Sequence, residues 1–227
     1  MILYTGGVDS PRSYHHGNLR EALLDAAAAL VAETGPNAFT LREVARRVGV
    51  SHNAPYRHFQ DKDELVAAVA AQGFGRLTAA MKRSAAKGAV PLDRFRLCGR
   101  GYIEFALRWP EHFLVMFDLP DCSERYPDYA AAGEEAFQVL LACIADAQSG
   151  GALPAGDPHP LALVAWSLVH GIAKLAIARR LAVGSPETLH GRTVKSSAGI
   201  LELADYAERV LISGMAGLPH PGAIAPK

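Results

Sequence analysis

Apolar residues recur every three to four positions along most of this chain, which is the spacing of amphipathic helices. No run alternates apolar and polar residues for long enough to indicate a strand. The pattern therefore predicts an all-α fold. Its first helix covers about 18–33, and Gly35 followed by Pro36 ends it.

Two short helices follow, and their ends are marked by capping residues. Thr40 and Glu43 form a capping box that starts the second helix, and Gly49 can adopt the left-handed conformation that stops it. Ser51 is a candidate N-cap for a third helix that reaches about residue 58, with Pro55 in its first turn. Two helices of this length joined through a glycine turn are typical of a helix-turn-helix.

The remaining pattern predicts a long helix over about 62–87, capped by Asp61, that links two parts of the molecule. Five further helices are predicted over about 92–108, 110–117, 129–147, 160–181 and 198–215. We expect a flexible arm at 1–13, a helix-turn-helix domain at 14–62, a helical domain at 63–218, and a flexible tail at 219–227.

The distribution of charge along the chain limits where nucleic acid could bind. Lysine and arginine together number 23, as do aspartate and glutamate, so the molecule has no net charge that attracts nucleic acid as a whole. Between residues 40 and 60, however, four arginines accompany a single acid. A DNA-binding surface is therefore predicted locally, on the two short helices.

The segment TLREVARRVGVSHNAPYRHFQDKDEL resembles the DNA-binding signature of the TetR family of bacterial regulators. The likeness extends from about residue 14 to 65 and combines the capping box, the glycine turn, the Tyr-x-His-Phe sequence and the following acid-Lys pair. It implies a ligand-responsive repressor that binds a near-palindromic double-stranded DNA operator as a homodimer and is released by a small-molecule effector. Activation in place of repression, and the effector's identity, stay open.

The resemblance assigns DNA contacts to individual positions. Phosphate contacts fall on Thr40, Tyr56, His58 and Lys62; base contacts fall on Arg42, His52, Asn53 and Arg57; Ser51 completes the set at the start of the recognition helix. Hydroxyl, phenol, imidazole and ammonium groups are donors suited to phosphate oxygens. Arginine can pair with guanine and asparagine with adenine through two hydrogen bonds. The sequence departs from the common family pattern at Asn53 and Pro55.

In the C-terminal half, AWSLVHGIAKL resembles a Trp-His-Gly box of one TetR subgroup. Its Trp166 and His170 lie four residues apart and share a helix face. Aromatic and methionine side chains of the two preceding helices could enclose an apolar cavity. The predicted ligand-binding residues are Tyr102, Phe105, Phe113, Met116, Phe117, Trp166 and His170. The same spacing also fits an ordinary hydrophobic core.

The helices at 160–181 and 198–215 carry more apolar surface than one pair can bury, which predicts a homodimer through a four-helix interface. The stretch 161–178 is apolar enough to resemble a membrane span, but His170 and Lys174 interrupt it, so we interpret it as a core or interface helix. The N-terminus lacks a secretory pattern, and the three cysteines have no paired spacing. We expect a cytoplasmic protein.

Other functions find less support in the sequence. No nucleophile with a neighbouring base, no paired carboxylates and no phosphate-binding glycine loop is present, so we expect no enzyme activity and no cofactor. His15 and His16 lack companions at ligand spacing, so no metal is expected. One alternative stays open, a DNA-binding regulator triggered by oxidation of Cys98, Cys122 or Cys143.

Overall fold

The computed structural model describes residues 19–35, 38–118, 124–181, 188–189, 192–193 and 196–216. Within these ranges the α-helices are α1 (Leu19–Thr34), α2 (Leu41–Val48), α3 (Lys62–Ala85), α4 (Pro91–Arg108), α5 (Pro110–Asp118), α6 (Pro127–Ser149), α7 (Pro158–Ile177) and α8 (Ser197–Ala216). Two strands of two residues each, Thr188–Leu189 (β1) and Arg192–Thr193 (β2), form one short antiparallel pair. The all-α prediction is confirmed. The predicted arm, the tail at 219–227 and Cys122 lie outside the described residues.

The capping box at the start of α2 forms as predicted. The Glu43 amide donates to Thr40 Oγ1 at 3.3 Å, and the Thr40 amide donates to Glu43 Oε2 at 2.7 Å. At the other end Gly49 has φ 79°, and its amide faces the carbonyls of Ala45 and Arg46. Because an L side chain is disfavoured at this φ, glycine fixes the length of α2.

The third helix differs from the prediction. In place of a helix from Ser51 to about residue 58, the chain makes a turn and then a single 3₁₀ turn, Pro55–Arg57, without a side-chain cap. The first α-helical bond after a Ser51 cap would need the amide hydrogen of residue 55, which proline lacks. The Ser51 carbonyl instead accepts from the Ala54 amide at 2.9 Å. Hydrogen bonds between residues three apart, as in a 3₁₀ helix, continue through this segment.

The long helix α3 is the centre of the molecule and packs against α1, α4, α5 and α6. It begins at an Asp61 cap, whose Oδ1 accepts from the Glu64 amide at 2.8 Å. Its contact with α4 is very close at Gly101, where an added Cβ would lie 2.8 Å from the Ala80 carbonyl oxygen. The two short helical segments before α3 are therefore joined to the later helices through one long helix.

Helices α7 and α8 present apolar side chains to the outside. Val164 and Leu175 on α7 are 52% and 47% exposed, and Tyr206 and Val210 on α8 are 45% and 54% exposed. Of the helices described, α7 alone is long and apolar enough to cross a membrane, and only 28% of its most apolar window is buried within the chain. The predicted excess of apolar surface on these two helices is present in the monomer.

Candidate functional site

The predicted DNA-binding side chains lie together on one surface formed by α2, the turn after it, the 3₁₀ turn and the start of α3. Those that are exposed are Thr40, Arg42, Ser51, His52, Asn53, Tyr56, Arg57 and His58. Lys62 is half-buried, with its ammonium 5.8 Å from the centre of the Phe39 ring. The surface thus offers hydroxyl, imidazole, amide and guanidinium donors to solvent.

This surface is held from beneath by two buried side chains and one ion pair. Pro55 and Phe59 are buried, so both ends of the 3₁₀ turn are anchored in the core. Arg47 of α2 binds Glu33 of α1 through both terminal nitrogens, and its hydrogen bonds lower the pKa of the Glu33 carboxyl. Arg47 is therefore engaged by α1, whereas Arg42 and Arg57 remain exposed.

A second candidate site is a cavity of about 410 Å³ inside the helical domain. Side chains of α3, α4, α5, α6, α7 and α8 line it, and nearly all of them are apolar. Of the predicted ligand-binding residues, Tyr102, Met116, Phe117 and Trp166 line the cavity. A volume of this order is enough for a small organic molecule.

The other three predicted ligand-binding residues do not line the cavity. Phe113 stacks on the His170 ring with centroids 5.2 Å apart, and His170 in turn lies edge-on to Phe117 at 4.6 Å. Phe105 borders a different groove, beside Arg76 and Trp109. These three residues support the wall of the cavity or pack elsewhere in the core.

The polar groups of Tyr102, Trp166 and His170 satisfy one another. Trp166 Nε1 donates to the Tyr102 hydroxyl at 3.3 Å, and the hydroxyl lies 2.8 Å from His170 Nδ1. Because an indole nitrogen only donates, the simplest arrangement has Tyr102 donating to His170. Burial raises the pKa of the Tyr102 phenol well above its usual range. The chain thus closes this network without a ligand.

One carboxyl breaks the apolar lining. Glu208 on α8 is 4% exposed, and its Oε2 has no hydrogen-bond partner. Gly99 on α4 makes room for it, because an added Cβ at this position would collide with Glu208 Oε1. Burial, followed by the charge of Asp205, raises the pKa of Glu208 to about 8. Near neutral pH the carboxyl is therefore mostly protonated.

A set of contacts joins the wall of the cavity to α1. Met116 lines the cavity from α5, and His112 lies one helical turn before it, 2% exposed. His112 Nε2 lies 3.0 Å from Arg76 Nη1 of α3, and Arg76 Nη2 donates to Asp25 of α1 at 2.9 Å. Burial and then the Arg76 charge lower the pKa of His112, which keeps the ring neutral. These groups connect α5 to α1 through Arg76 of α3.

One cysteine of the cavity wall lies beside a second cysteine. Cys98 lines it from α4, and its side chain shares a hydrogen bond with Cys143 of α6. This hydrogen bond and burial raise the pKa of the Cys98 thiol. Among the described residues, no group of three or more His, Cys, Asp or Glu side chains is arranged to hold a metal ion.

Sequence reasoning missed Glu208 and the contacts of His112. The sequence does contain a signal for Glu208. Ile200, Ala204 and Glu208 are spaced four residues apart and share one buried face of α8, so a carboxyl interrupts an otherwise apolar face. The His112 contacts left none, because Asp25 and Arg76 are far apart in sequence and are charged residues on helix surfaces.

An all-helical molecule that combines a capped helix-turn-helix with an apolar cavity among its later helices belongs to a class, the helix-turn-helix transcriptional regulators. Residues 23–69 match the family described as "Bacterial regulatory proteins, tetR family", and residues 95–195 match "Tetracyclin repressor-like, C-terminal domain". The chain belongs to the TetR family of transcriptional regulators, as its signature predicted.

Individual curated relatives match only part of the chain. A helix-turn-helix-type transcriptional repressor of Mycobacterium tuberculosis is 50% identical over 48 residues, which are 21% of this chain and 26% of the relative. The repressor KstR of the same organism is 36% identical over 75 residues, 33% of this chain and 34% of KstR. The matched segments thus span about a quarter to a third of these curated relatives.

Solved structures extend the likeness to the whole fold. A protein of unknown function from Rhodococcus sp. RHA1 is 32% identical, with a TM-score of 0.73, and the match covers 91% of this chain and 100% of that one. The regulator FadR of Bacillus subtilis, solved in complex with stearoyl-CoA, has a TM-score of 0.70 at 13% identity over 86% of this chain and 98% of its own. The second likeness concerns the fold alone.

Proposed function

We propose that this chain is a cytoplasmic, homodimeric repressor that binds a near-palindromic operator and releases it when a small molecule occupies the cavity. The observation that carries this proposal is the continuous set of contacts from Met116 in the cavity wall through His112 and Arg76 to Asp25 on α1. Through these contacts, a ligand that displaces the cavity wall could change the position of the DNA-binding domain.

DNA recognition is assigned to the exposed donors around the 3₁₀ turn. Thr40, Tyr56, His58 and Lys62 hold phosphates, which positions the protein on any duplex. Ser51 lies beside them, and Arg42, His52, Asn53 and Arg57 face base edges in the major groove, where bidentate contacts each contribute about 1–3 kcal/mol of discrimination. Their common exposure on one basic surface supports this assignment.

Dimerisation is assigned to the outer face of α7 and α8. Val164, Gly171 and Leu175 lie along one side of α7, and an added Cβ at Gly171 would meet nothing within 4 Å in the chain. A second copy of the same face would cover these residues together with Tyr206 and Val210, forming a four-helix interface. The two recognition segments would then contact successive major grooves, about one DNA turn apart.

Release requires that the effector bind more tightly to the conformer that does not fit the operator. A ligand that displaces Met116 or Phe117 moves α5, and the contacts of His112 carry the movement to α1. Coupling of about 1–3 kcal/mol would lower operator affinity roughly 5- to 150-fold. We also propose that Trp166, His170 and Gly171 form the Trp-His-Gly box of a TetR subgroup, with His170 as a wall-supporting residue.

Selection of bound duplexes from a random DNA pool tests this function. We expect an enriched inverted repeat and, for that sequence, at least about a hundredfold preference over random DNA. A thermal-shift screen on the DNA-free protein then identifies cavity ligands, which are added to the protein–operator complex. Equal affinity for selected and random DNA would refute the regulator. Ligands that raise the melting temperature yet leave operator affinity unchanged would refute the coupling.

A redox-triggered regulator is a second candidate, and the hydrogen bond between Cys98 and Cys143 favours it over a trigger at any single cysteine. A two-electron oxidant such as peroxide would join these thiols as a disulfide and couple α4 to α6. Peroxide should then release the operator from wild type but not from Cys143→Ser. Release that persists in a variant with all three cysteines replaced by serine would eliminate this candidate.

A further inference from the structure

The cavity carries one polar group that the chain itself leaves unpartnered. Of the described residues that line it, Tyr102 and Trp166 are already hydrogen-bonded to each other, whereas Glu208 Oε2 is buried without a partner. A buried carboxyl without a partner destabilises the folded protein, so its presence in an apolar wall indicates that something else compensates it. A ligand in the cavity can supply that partner.

The charges around Glu208 do not supply that partner within the chain. Arg100 on α4 is engaged by Glu104 at 3.0 Å and by Asp205 at 3.5 Å. Arg96, also on α4, favours the ionised carboxyl, but neither it nor Arg100 hydrogen-bonds Oε2. Asp205 on α8 opposes ionisation. A cation brought by a ligand would therefore meet an unoccupied acceptor.

The rest of the lining also suits a cation. Phe74 of α3, Phe117 of α5, Phe137 of α6 and Trp166 of α7 border the same cavity. Ring faces attract ammonium groups, and the attraction increases where water is excluded. Aromatic walls with a single carboxyl thus combine a surface for a hydrocarbon body with one electrostatic anchor for its head group.

We infer that the effector is a compact organic amine, held by an ion pair between its ammonium group and the carboxylate of Glu208 while its apolar body fills the aromatic cavity. This inference deepens the proposed function, because it names the ligand class of the proposed effector site. Glu208 is the specificity-determining residue, and Gly99 is the positioning residue that leaves space for its carboxyl.

The pairing has a proton signature. Glu208 holds its proton near neutral pH in the unliganded protein, and the ammonium form of an amine also carries one. Forming the ion pair sends the Glu208 proton to solvent, so binding releases one proton per amine at most. A neutral ligand of the same shape would release none, because the carboxyl could keep its proton and act as a hydrogen-bond donor.

Three probes that share a phenyl group on a four-carbon chain separate the ligand classes: 4-phenylbutylamine, 4-phenylbutanol and 4-phenylbutyrate. Titration calorimetry at pH 7 of the full chain without DNA, in buffers of different ionisation enthalpy, measures affinity and proton release together. We expect the amine to bind at least about tenfold more tightly than the alcohol, with proton release, and the acid to bind most weakly. Equal or tighter binding of the alcohol or the acid would overturn the inference.

Variants locate the effect. Glu208→Gln keeps the shape of the side chain and should abolish both the amine preference and the proton release, while alcohol binding stays within about twofold. Glu135→Gln removes an exposed carboxyl that pairs with Lys82 on the surface, and it should behave as wild type. An amine preference that survives Glu208→Gln would overturn the assignment. If Glu208→Gln does not fold, amine binding to wild type without proton release would overturn it instead.

These measurements contain no DNA, so they fail or succeed independently of the proposed function. Amine binding with proton release but without operator release would support the ligand class and refute the coupling. Operator release by a neutral or acidic molecule that occupies the cavity, with no response to amines, would support the regulator and overturn the ligand class.

Discussion

At the scale of single residues, the proposed DNA contacts are of two kinds: side chains that would hold phosphates and side chains that would select the base sequence. Tyr56 is 52% exposed, and its side chain rises beside buried Pro55 and Phe59. The backbone at this position is thus anchored by its buried neighbours, while the side chain is half exposed. Changes at the tips of such residues should alter DNA binding without altering the fold.

Tyr56→Phe removes one hydroxyl and should weaken binding to operator and random DNA alike, by roughly fivefold, since a single hydrogen bond contributes about 1 kcal/mol. Arg57→Ala should instead reduce the preference at one base pair by about 1–3 kcal/mol. Fluorescence anisotropy at one fixed salt concentration measures both. Gln138→Ala removes an exposed hydrogen-bonding side chain of α6, away from this surface and from the face of α7 and α8; it is the control and should bind as wild type. Loss of sequence preference in Tyr56→Phe would contradict its assignment to phosphate.

Glu208 should make stability depend on pH in an unusual direction. Its pKa is about 8 in the folded protein and close to the ordinary value of 4.5 in the unfolded chain, so between these values the folded state binds the extra proton. The free energy of unfolding should therefore fall as pH rises through this window, with a contribution of up to about 1.4 kcal/mol per pH unit.

The groups that face Glu208 are Asp205 on its own helix and Arg96, Arg100 and Cys98 on α4. Urea unfolding of wild type, Glu208→Gln and Glu135→Gln between pH 5 and pH 8 isolates the contribution of Glu208. Wild type and Glu135→Gln should lose stability in parallel, while Glu208→Gln should lose less. Identical pH dependence in all three proteins would show that the carboxyl ionises normally.

At the scale of elements, α3 depends on close packing as well as on burial of apolar side chains. At Gly101 of α4, an added Cβ would lie 2.8 Å from the Ala80 carbonyl oxygen and 3.0 Å from the Met81 Cα. These are backbone atoms of α3, and they cannot rotate away. The distance between α3 and α4 is therefore set by the absence of a side chain at this position.

Two glycine substitutions should consequently have opposite effects. Gly101→Ala should lower the free energy of unfolding by about 1–3 kcal/mol, because it forces α3 and α4 apart. Gly75→Ala lies in the middle of α3 with nothing within 4 Å of its added Cβ, and it should raise stability by about 0.5–1 kcal/mol through helix propensity. Chemical denaturation measures both. A stabilised Gly101→Ala would mean that the helices do not meet at this point.

At the scale of the whole molecule, the proposed function depends on a second copy covering the outer face of α7 and α8. The apolar composition of α7 fits a membrane span, a core helix or an interface, and the monomer leaves much of it uncovered. A regulator that reads two half-sites needs a partner copy, and this face is where the chain has apolar surface to offer. Burial of that surface would contribute roughly 25 cal/mol for each Å² removed from water.

A double substitution, Val164→Asp with Val210→Asp, should convert the dimer to a monomer, because it places two carboxylates at the centre of the proposed interface in each copy. Light scattering should then give the chain mass of 24.2 kDa, and operator affinity should fall at least about a hundredfold. Val90→Asp changes an equally exposed valine before α4 and should stay dimeric. A wild-type protein that is monomeric at micromolar concentration would contradict the interface.

The sequence by itself determined the local features of this protein. The ends of α2 were predictable because Thr40, Glu43 and Gly49 act within a few residues of one another, and the family signature rests on the same short segment. The segment after Ser51 was predicted as an α-helix, but Pro55 withholds its first hydrogen bond, and the buried Phe59 is held by the tertiary core.

Only the tertiary structure decided the composition of the cavity and its connection to α1. Tyr102 and Trp166 line the cavity, whereas Phe105 borders another groove and His170 packs against Phe113 and Phe117. Which side of a helix faces a cavity depends on how six helices pack together, and no local pattern contains that information. The burial of Glu208 follows from the same packing, because a carboxyl is desolvated only by neighbours that are distant in sequence.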